Sequence, residues 1–498
     1  MMALTDEDQK LREFGYKQRL DRSVGWLSSF LLGFAVISAT TAVFSGFGFG
    51  LGTAGPAFVW TFPIAVAVFF IWALIAGDLV AKIPLSGYAY QWTSRLVSPT
   101  AGWFTGWAGL VGFISGFTGV AYVMAGYVGG LLGIEMSTPV QILISLVIVL
   151  FCVIVNVYGV RLATALNNIG VGLELVVTVG ATAFVAVVAF FVSGDHQEVS
   201  FLFSAGDTGV SPYLAVWLTS SLGCIFGLLG VEAAADIAEE TKDARRVIPR
   251  TMFMALGVSA VVEFFMYIVF LLAIKDPAAL TGSASPIADI IGAQVSPWFA
   301  KIVVALAITN ILVCVLANML VATRLTYAMA RDNVLPFSRQ LRRVSARHKT
   351  PSSAVWATGI LSFALLLTAF VSAEAFAFIL GMSALGYFTV YVITTSGLLV
   401  AKRRGRLPKG DPGTFDLGRW RTAVYVGGLI AFSLVLLALL LLPAFQVNGI
   451  VFVITMAVAG LWWLLGLRPR LARGDAGPRF ALRENAVADA PETVSARD

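Results

Sequence analysis

Runs of about 20 consecutive apolar residues recur from Val24 to Leu467, and no other feature restricts the fold of this chain as strongly. At about 1.5 Å of rise per residue, such a run wound as a helix covers the roughly 30 Å of hydrocarbon in a bilayer. No water is present there to pair a free N–H or C=O, so an element that satisfies its own backbone is required. The runs fall near residues 26–50, 57–80, 101–131, 139–158, 165–192, 213–236, 251–273, 298–329, 353–373, 375–400, 421–442 and 449–467. The expected fold class is an all-α integral membrane protein with about twelve transmembrane helices. Composition agrees, with 58% of residues hydrophobic and 12% charged, against about 45–50% and about 25% in soluble domains.

Charge placement orients the runs. Lys and Arg gather before Ser23, at Lys82 and Arg95, at Arg161, from Lys242 to Arg250, from Arg324 to Lys349, from Lys402 to Arg421 and beyond Arg468, all on one side when the runs are counted as above. Lys275 and Lys301 fall on the other side, with Glu135, Asp195, His196, Glu198, Asp207 and Glu374. The positive-inside rule makes the basic side and both termini cytoplasmic, in a multi-pass protein of the cell (cytoplasmic) membrane. Residues 1–23 form a cytoplasmic tail without the apolar core of a cleavable signal. A core over 24–400 is followed by a basic loop over 401–420 suited to anionic headgroups. Two further helices over 421–467 shield the bundle or support an oligomer, leaving monomer and homodimer both open. Residues 468–498 read as a flexible cytoplasmic tail. This placement also accounts for the formal charge of +6 without a nucleic-acid partner. Cys152, Cys224 and Cys314 sit within apolar runs, and His196 and His348 in separate connections, so neither a disulfide framework, a metal set nor a catalytic triad is supported. No enzyme and no cofactor is expected.

The stretch Ser221 to Arg250, SLGCIFGLLGVEAAADIAEETKDARRVIPR, departs from the pattern. It begins as a membrane run, loosens at Gly227 and Gly230, and places Glu232 and Asp236 inside. Opened backbone at membrane depth is tolerated only along a protein-lined cavity, and an acid there is functional by default. A glycine packing pair beside a protonated, satisfied Glu232 is the competing reading. The first run holds a counterpart in ISATTAVFSGFGFGLGTAGP, Ile37 to Pro56, crowded with small and hydroxyl residues. Beyond a break there, the continuing helix offers N–H donors and partial positive charge to a carboxylate; Ser38 to Ala42 is the expected stretch. Close packing through small residues is the alternative. The linkers PLSGYAYQWTSRLVSP and SASPIADIIGAQVSP both end in Val-Ser-Pro, at Val97 to Pro99 and Val295 to Pro297, on opposite faces of the counted topology. Inverted five-helix repeats, with a substrate near the midplane between two discontinuous helices, have that arrangement.

Five stretches carry a resemblance: FGYKQRLDRS before the first run, GDLVAKIPLSGYAYQW after the second, NVYGVRLATALNN between the fourth and fifth, GVEAAADIAEETKDARRVIPR at the sixth and RLTYAMARDNVLP after the eighth. In this order they resemble the amino acid-polyamine-organocation (APC) superfamily, and within it the amino acid and choline transporter group. The resemblance implies a 5+5 inverted-repeat transporter with broken helices 1 and 6 that moves amino acids, amines or polyamines by alternating access. Thr40, Thr41, Ala42, Val43 and Phe44 fall where the family usually has a Gly-Ser-Gly-type unwound segment. Without those glycines the break shifts toward Ser38 and Ala39, or the threonine hydroxyls contact the substrate. Phe226 falls where related transporters place an aromatic gate. Glu232 falls where arginine-agmatine antiporters have an acid linked to proton sensing. Glu174, in GVGLELVV, falls where family members often have Lys, His or a neutral residue, next to the ion position of sodium-coupled relatives. A glutamate there is a proton carrier or part of a cation site, or else a protonated carboxyl bonded to nearby backbone.

The expected function is a secondary active transporter importing a small amino acid or related amine, with the proton as coupling ion and sodium as the alternative. The substrate carboxylate is expected at Ser38, Ala39, Thr40, Thr41 and Ala42. Its amine is expected at the carbonyls of Ile225, Phe226, Gly227, Leu228 and Leu229, because helix C-termini favour cations. Phe226 is the expected gate, and Glu174 and Glu232 the coupling acids. A choline, ethanolamine or polyamine transporter competes, as does an amino acid exchanger. A nutrient receptor or passive pore on the same scaffold is the reading from another class. Asp78 is expected to pair with a loop cation or to cap the interior, and Glu239 and Glu240 to pair with Lys242, Arg245 and Arg246 or to face solvent. Glu263 has no partner fixed by spacing, whereas Asp236 follows Glu232 by one helical turn and is expected on the same face. Asn167, Asn168, Asn310 and Asn318 suit interhelical hydrogen bonds or ligand.

Overall fold

The computed structural model describes residues 6–158, 160–205, 213–280, 283, 285–370 and 375–489; Asp207 and Glu374 lie outside these. In chain order the helices are α1 (Asp6–Glu13), α2 (Trp26–Ile37), α3 (Ala39–Ala54), α4 (Thr61–Val80), α5 (Tyr88–Leu96), α6 (Pro99–Leu132), α7 (Thr138–Tyr158), α8 (Val160–Val187), α9 (Tyr213–Leu228), α10 (Ala233–Asp236), α11 (Ala244–Leu272), α12 (Pro286–Gln294), α13 (Pro297–Arg331), α14 (Ser338–Leu341), α15 (Ser352–Leu367), α16 (Ala375–Arg403), α17 (Arg421–Leu441), α18 (Gln446–Trp462), α19 (Arg468–Arg473) and α20 (Pro478–Asp489). Each apolar run of the sequence is mostly helical over its described residues, and the first and sixth are each split between two helices. Among the described residues, nine helical segments are long and apolar enough to cross a membrane, while those at Thr178–Ser193, Tyr213–Leu228 and Ser352–Leu367 are shorter.

Small residues decide which helices meet. Where α3 crosses α9, a Cβ on Gly46 would lie 2.3 Å from the Gly223 carbonyl oxygen, and one on Gly227 would lie 2.3 Å from Ala42 Cβ. No larger residue fits at that crossing, which brings two backbones within van der Waals contact. Helix α6 packs against α13 and α16 in the middle of the bundle, and its most apolar stretch is 89% buried, whereas those of the last two membrane-length segments are only 22% and 17% buried. Helices α17 and α18 therefore flank the bundle, presenting Leu434, Leu441, Ile450 and Val453 outward.

The two Val-Ser-Pro linkers adopt one conformation. Each follows a nine-residue helix, α5 or α12, and starts a long one, of 34 residues in α6 and 35 in α13. Val97 sits at φ −107, ψ −77 and Val295 at φ −115, ψ −75, followed by extended Ser98 and Ser296. The serine hydroxyls accept from the N–H groups of Ala101 at 3.1 Å and Phe299 at 3.2 Å, the side-chain cap that a Ser before Pro at the first helical position provides. Helix α5 lies against the N-terminal segment, and α12 at the other end of the bundle, where the Gln294 amide donates to the Asp195 carbonyl at 2.7 Å.

The described parts of the two terminal segments pack against the basic end of the bundle. Within the stretch expected as a tail, residues 468–473 and 478–489 form α19 and α20. Gly474 and Gly477, at φ 75 and 76, turn the chain back onto the basic end of the bundle. There the Gly477 N–H donates to the Asp332 carbonyl at 2.7 Å and the Asn333 amide to the Asp475 carbonyl at 2.8 Å. The N-terminal segment folds across the same end and buries Leu11, Tyr16 and Leu20. Asp78 pairs with Lys82 and Arg421 and accepts from the Leu417 N–H at 2.9 Å, which pins the 401–420 loop to α4.

Candidate functional site

The first apolar run is interrupted at Ser38. Its φ of 39 and ψ of 95 end α2 and restart the chain as α3. The Ser38 hydroxyl accepts from the Thr41 N–H at 3.2 Å, and the Ser38 carbonyl accepts from the Ala42 N–H at 2.9 Å. Glu174 reaches in from α8: its carboxylate accepts from the Thr40 N–H at 3.0 Å and from the Ser38 hydroxyl at 2.9 Å. An acid supplied by another helix thus occupies the electropositive start of α3. The Thr40 hydroxyl bonds to that of Thr178, one turn beyond Glu174, at 2.7 Å.

The second interruption follows α9. Ile225, Phe226, Gly227 and Leu228 form its last turn, so theirs are the carbonyls a helix leaves without i+4 donors of its own. Leu229 to Glu232 form an irregular turn in which Gly230 takes φ 88 and its carbonyl accepts from the Ala233 N–H at 2.8 Å. Glu232 is fully buried, and the Tyr391 hydroxyl lies 3.2 Å from both of its carboxyl oxygens. Tyr391 in turn stacks on Trp72 with ring centroids 4.0 Å apart.

Between the interruptions lies a narrow cavity of about 20 Å³, measured as room for the centres of water-sized spheres. That is space for about one water and far below what an amino acid requires, so the structure is a closed form of the site. Thr41, Ala42, Phe226, Gly227 and Leu229 line it, joined by Ile37, Gly116, Val120, Cys314, Asn318, Ser383 and Tyr387. Ser38 and Thr40 face Glu174 instead, Ala39 and Leu228 are buried away from the cavity, and Ile225 lines a lateral apolar groove with Phe69, Phe388 and Leu434. The Asn318 amide donates to the Cys314 carbonyl at 3.0 Å and to the Val36 carbonyl at 3.4 Å, tying α13 to the end of α2. Asn318 stood out in the sequence as a polar residue inside an apolar run. Ser383 and Tyr387, from α16, carried no such signal, since hydroxyl and aromatic residues are common in apolar helices. Among the described residues, no group of three or more His, Cys, Asp or Glu side chains could hold a metal ion.

At the basic end the site is closed by buried charges. Glu239 receives two hydrogen bonds from Arg331, at 2.7 and 2.8 Å, and Glu240 pairs with Arg324 through both carboxylate oxygens. The expected partners Lys242, Arg245 and Arg246 are corrected: Arg245 turns to Asp411 and to the Ala81 carbonyl, and α13 places Arg324 and Arg331 in the buried space behind the turn instead. The Val24 N–H donates to the Glu240 carbonyl and the Lys242 N–H to the Val24 carbonyl, each at 2.9 Å. The Arg331 guanidinium lies 3.5 Å from the centre of the Tyr16 ring. Burial pushes the Tyr16 phenol up to about 12, so it remains a neutral donor to Asp332.

A bundle in which two apolar helices open side by side around a small hollow is suited to passing a small solute across a membrane, and the class it defines is the multi-pass transporter. The chain matches the amino acid permease family over residues 24–464 and belongs to that family. It is 26% identical over 517 residues to the amino-acid permease BAT1 of Arabidopsis thaliana, covering 92% of this chain and 94% of that one. It is 26% identical over 454 residues to the BAT1 homolog of Oryza sativa subsp. japonica, covering 83% and 84%. Identity is also 26%, over 368 residues, with the branched-chain amino acid permease BcaP of Lactococcus lactis subsp. cremoris, covering 70% of this chain and 76% of that one.

Proposed function

We propose that this permease is a secondary active transporter importing a small amino acid across the cytoplasmic membrane by alternating access, coupled to protons, on a twelve-helix scaffold of inverted repeats. The basic end, with both termini, is cytoplasmic on this reading and is closed in the present form. Phe226, on the cavity wall, acts as the lid on the opposite path. The cavity lining combines apolar side chains with Thr41, Ser383, Asn318 and Tyr387 and includes no charged side chain. Such a lining suits a zwitterion with a small or apolar side chain, in keeping with the branched-chain substrates named for two relatives.

One observation carries the coupling: the Glu174 carboxylate on the Ser38 hydroxyl and the Thr40 N–H. While ionised, Glu174 occupies donors that a substrate carboxylate would use and repels that carboxylate. A proton on Glu174 removes the repulsion and frees the donors, so substrate and proton enter together. Glu232, below the cavity, is the next acid toward the cytoplasm. In proteoliposomes, uptake is expected to rise when the outside is made acidic, and Glu174→Gln is expected to transport without regard to pH. Glu174→Gln with full pH-dependent uptake would remove Glu174 from the coupling.

A second reading takes its support from the pairing of the Thr40, Thr41 and Ala42 N–H groups within the protein, which leaves fewer donors for a carboxylate. On that reading the cargo is an amine such as choline, ethanolamine or a polyamine. A thermal-shift screen separates the two: stabilisation by zwitterions and not by simple amines supports the first, and the reverse supports the second.

A further inference from the structure

Glu263, in α11, is a buried acid that the coupling scheme above does not use. It is 0% exposed, and neither carboxyl oxygen has a hydrogen-bond partner. Its surroundings are nevertheless the centre of the fold. Helix α11 runs alongside the interrupted α2–α3 pair in a fixed register: Ser29 Oγ bonds Thr251 Oγ1 at 3.1 Å, Gly33 packs on Ala255, and the Phe47 ring stacks on Tyr267. That register sets Ser259 and Glu263 beside the interruption, between Ser38 and Ala42. From the other side α9 closes on the same carboxyl, since a Cβ on Gly227 would lie 3.1 Å from Glu263 Oε2.

A buried carboxyl that makes no hydrogen bond gains nothing from its polarity in this packing, whether ionised or neutral. Ser259 Oγ, four residues before it on the same stripe, is also buried without a partner, and the buried Tyr267 hydroxyl, four residues after it, faces the Cys224 thiol. The three buried polar groups at i, i+4 and i+8 form a file along α11, two of them orphaned, that water can reach only when α9 or α3 moves off it. The titratable groups facing Glu263 are Cys224 on α9, Tyr267 on its own helix and Glu174 on α8. Helices α2 and α3 contain no titratable side chain, α4 presents Thr61 to Cys224, and Asp236, Glu239 and Glu240 lie toward the basic end of α11. No cation among these neutralises a carboxylate, and an uncompensated charge is costly to bury.

We propose that Glu263 is a second proton-holding carboxyl of the transport cycle, protonated while α3 and α9 are packed across it and deprotonated when α9 moves away from α11. In that step the carboxyl O–H bond breaks and the proton passes to water entering along Ser259 and Tyr267; no other group changes. The proposal rests on the proton-coupled reading above.

The test uses the full-length protein in liposomes and the amino acid that gives the largest thermal shift. Counterflow at equal pH measures carriage without coupling, and accumulation against a pH gradient measures coupling. Glu263→Gln is expected to keep counterflow and lose gradient-driven accumulation, and Glu263→Asp to restore part of the accumulation. Infrared difference spectra on adding substrate are expected to show a protonated-carboxyl C=O band in the wild type that is missing in Glu263→Gln. Intact accumulation and an unchanged band in Glu263→Gln would overturn the role of Glu263 alone. Loss of counterflow in both variants would make the residue structural and overturn it as well. Wild-type accumulation indifferent to the pH gradient would instead overturn the coupled reading, and this inference with it.

Discussion

Gly46 and Gly52 lie six residues apart on α3 and carry opposite expectations. A methyl group on Gly46 meets the Gly223 backbone, whereas one on Gly52 meets nothing within 4 Å. Gly46→Ala should therefore lower the melting temperature in detergent by an overpacking cost of about 1–3 kcal/mol. Gly52→Ala should be neutral or raise it, since Ala in a helix interior is favoured over Gly by roughly 0.5–1 kcal/mol. Ser38 offers a finer comparison. Ser38→Ala removes the hydroxyl that accepts from Thr41 and donates to Glu174, a loss on the order of 1 kcal/mol for the cap. Ser38→Gly removes the same hydroxyl but relieves the positive φ, so its melting temperature should fall less. At this scale Glu174 was legible, because a carboxyl in an apolar run is out of place. Its partners were not, because contact between residues 136 positions apart is a property of the folded chain.

The element that closes the basic end is the turn after α10, held to α13 by two buried ion pairs. Glu240→Gln leaves the Arg324 charge in a site where its side chain is 1% exposed, and losing one partner of such a pair costs about 3–5 kcal/mol. Replacing both residues by apolar ones of similar volume, as in Glu240→Met with Arg324→Met, should recover most of that stability, because no uncompensated charge remains. Thermal unfolding of the two proteins measures the difference. The sequence showed the acids and a cluster of cations beside them, and proximity along the chain favoured the wrong partners. The Val-Ser-Pro linkers were the opposite case. A tripeptide weak as a sequence signal marks the same nine-residue helix, the same turn and the same side-chain cap in both halves.

For the whole molecule, the closed cavity supplies its own reporter. Cys314 lines it, while Cys152 and Cys224 are buried outside its walls. With Cys152 and Cys224 replaced by Ser, a small membrane-permeant thiol reagent should modify Cys314 slowly. Modification should become faster when Tyr16→Ala or Glu240→Gln loosens the basic end, and slower again with saturating substrate. Mass spectrometry of the labelled protein measures this; equal rates in all three proteins would show that the N-terminal segment and the ion pairs do not control access. The segment earns this role from Tyr16, which packs against Arg331 and Asp332 although it lies before the first membrane run.

By itself the sequence determined the all-helical membrane fold and the place where each long helix falls, because hydrocarbon admits few ways to pair a backbone and the apolar runs have the length it demands. It also marked the two stretches where helices open, since small, hydroxyl and acidic residues are out of place in an apolar run, but left close packing through small residues as the alternative. Only the tertiary structure decided which groups meet at those openings: Glu174 with Thr40, Glu239 and Glu240 with the arginines of α13, Tyr387 with the cavity, Glu263 with no partner. The reason is physical. Burial of apolar surface is set by local pattern, whereas hydrogen bonds and ion pairs are directional and exist only once distant helices have fixed one another's positions.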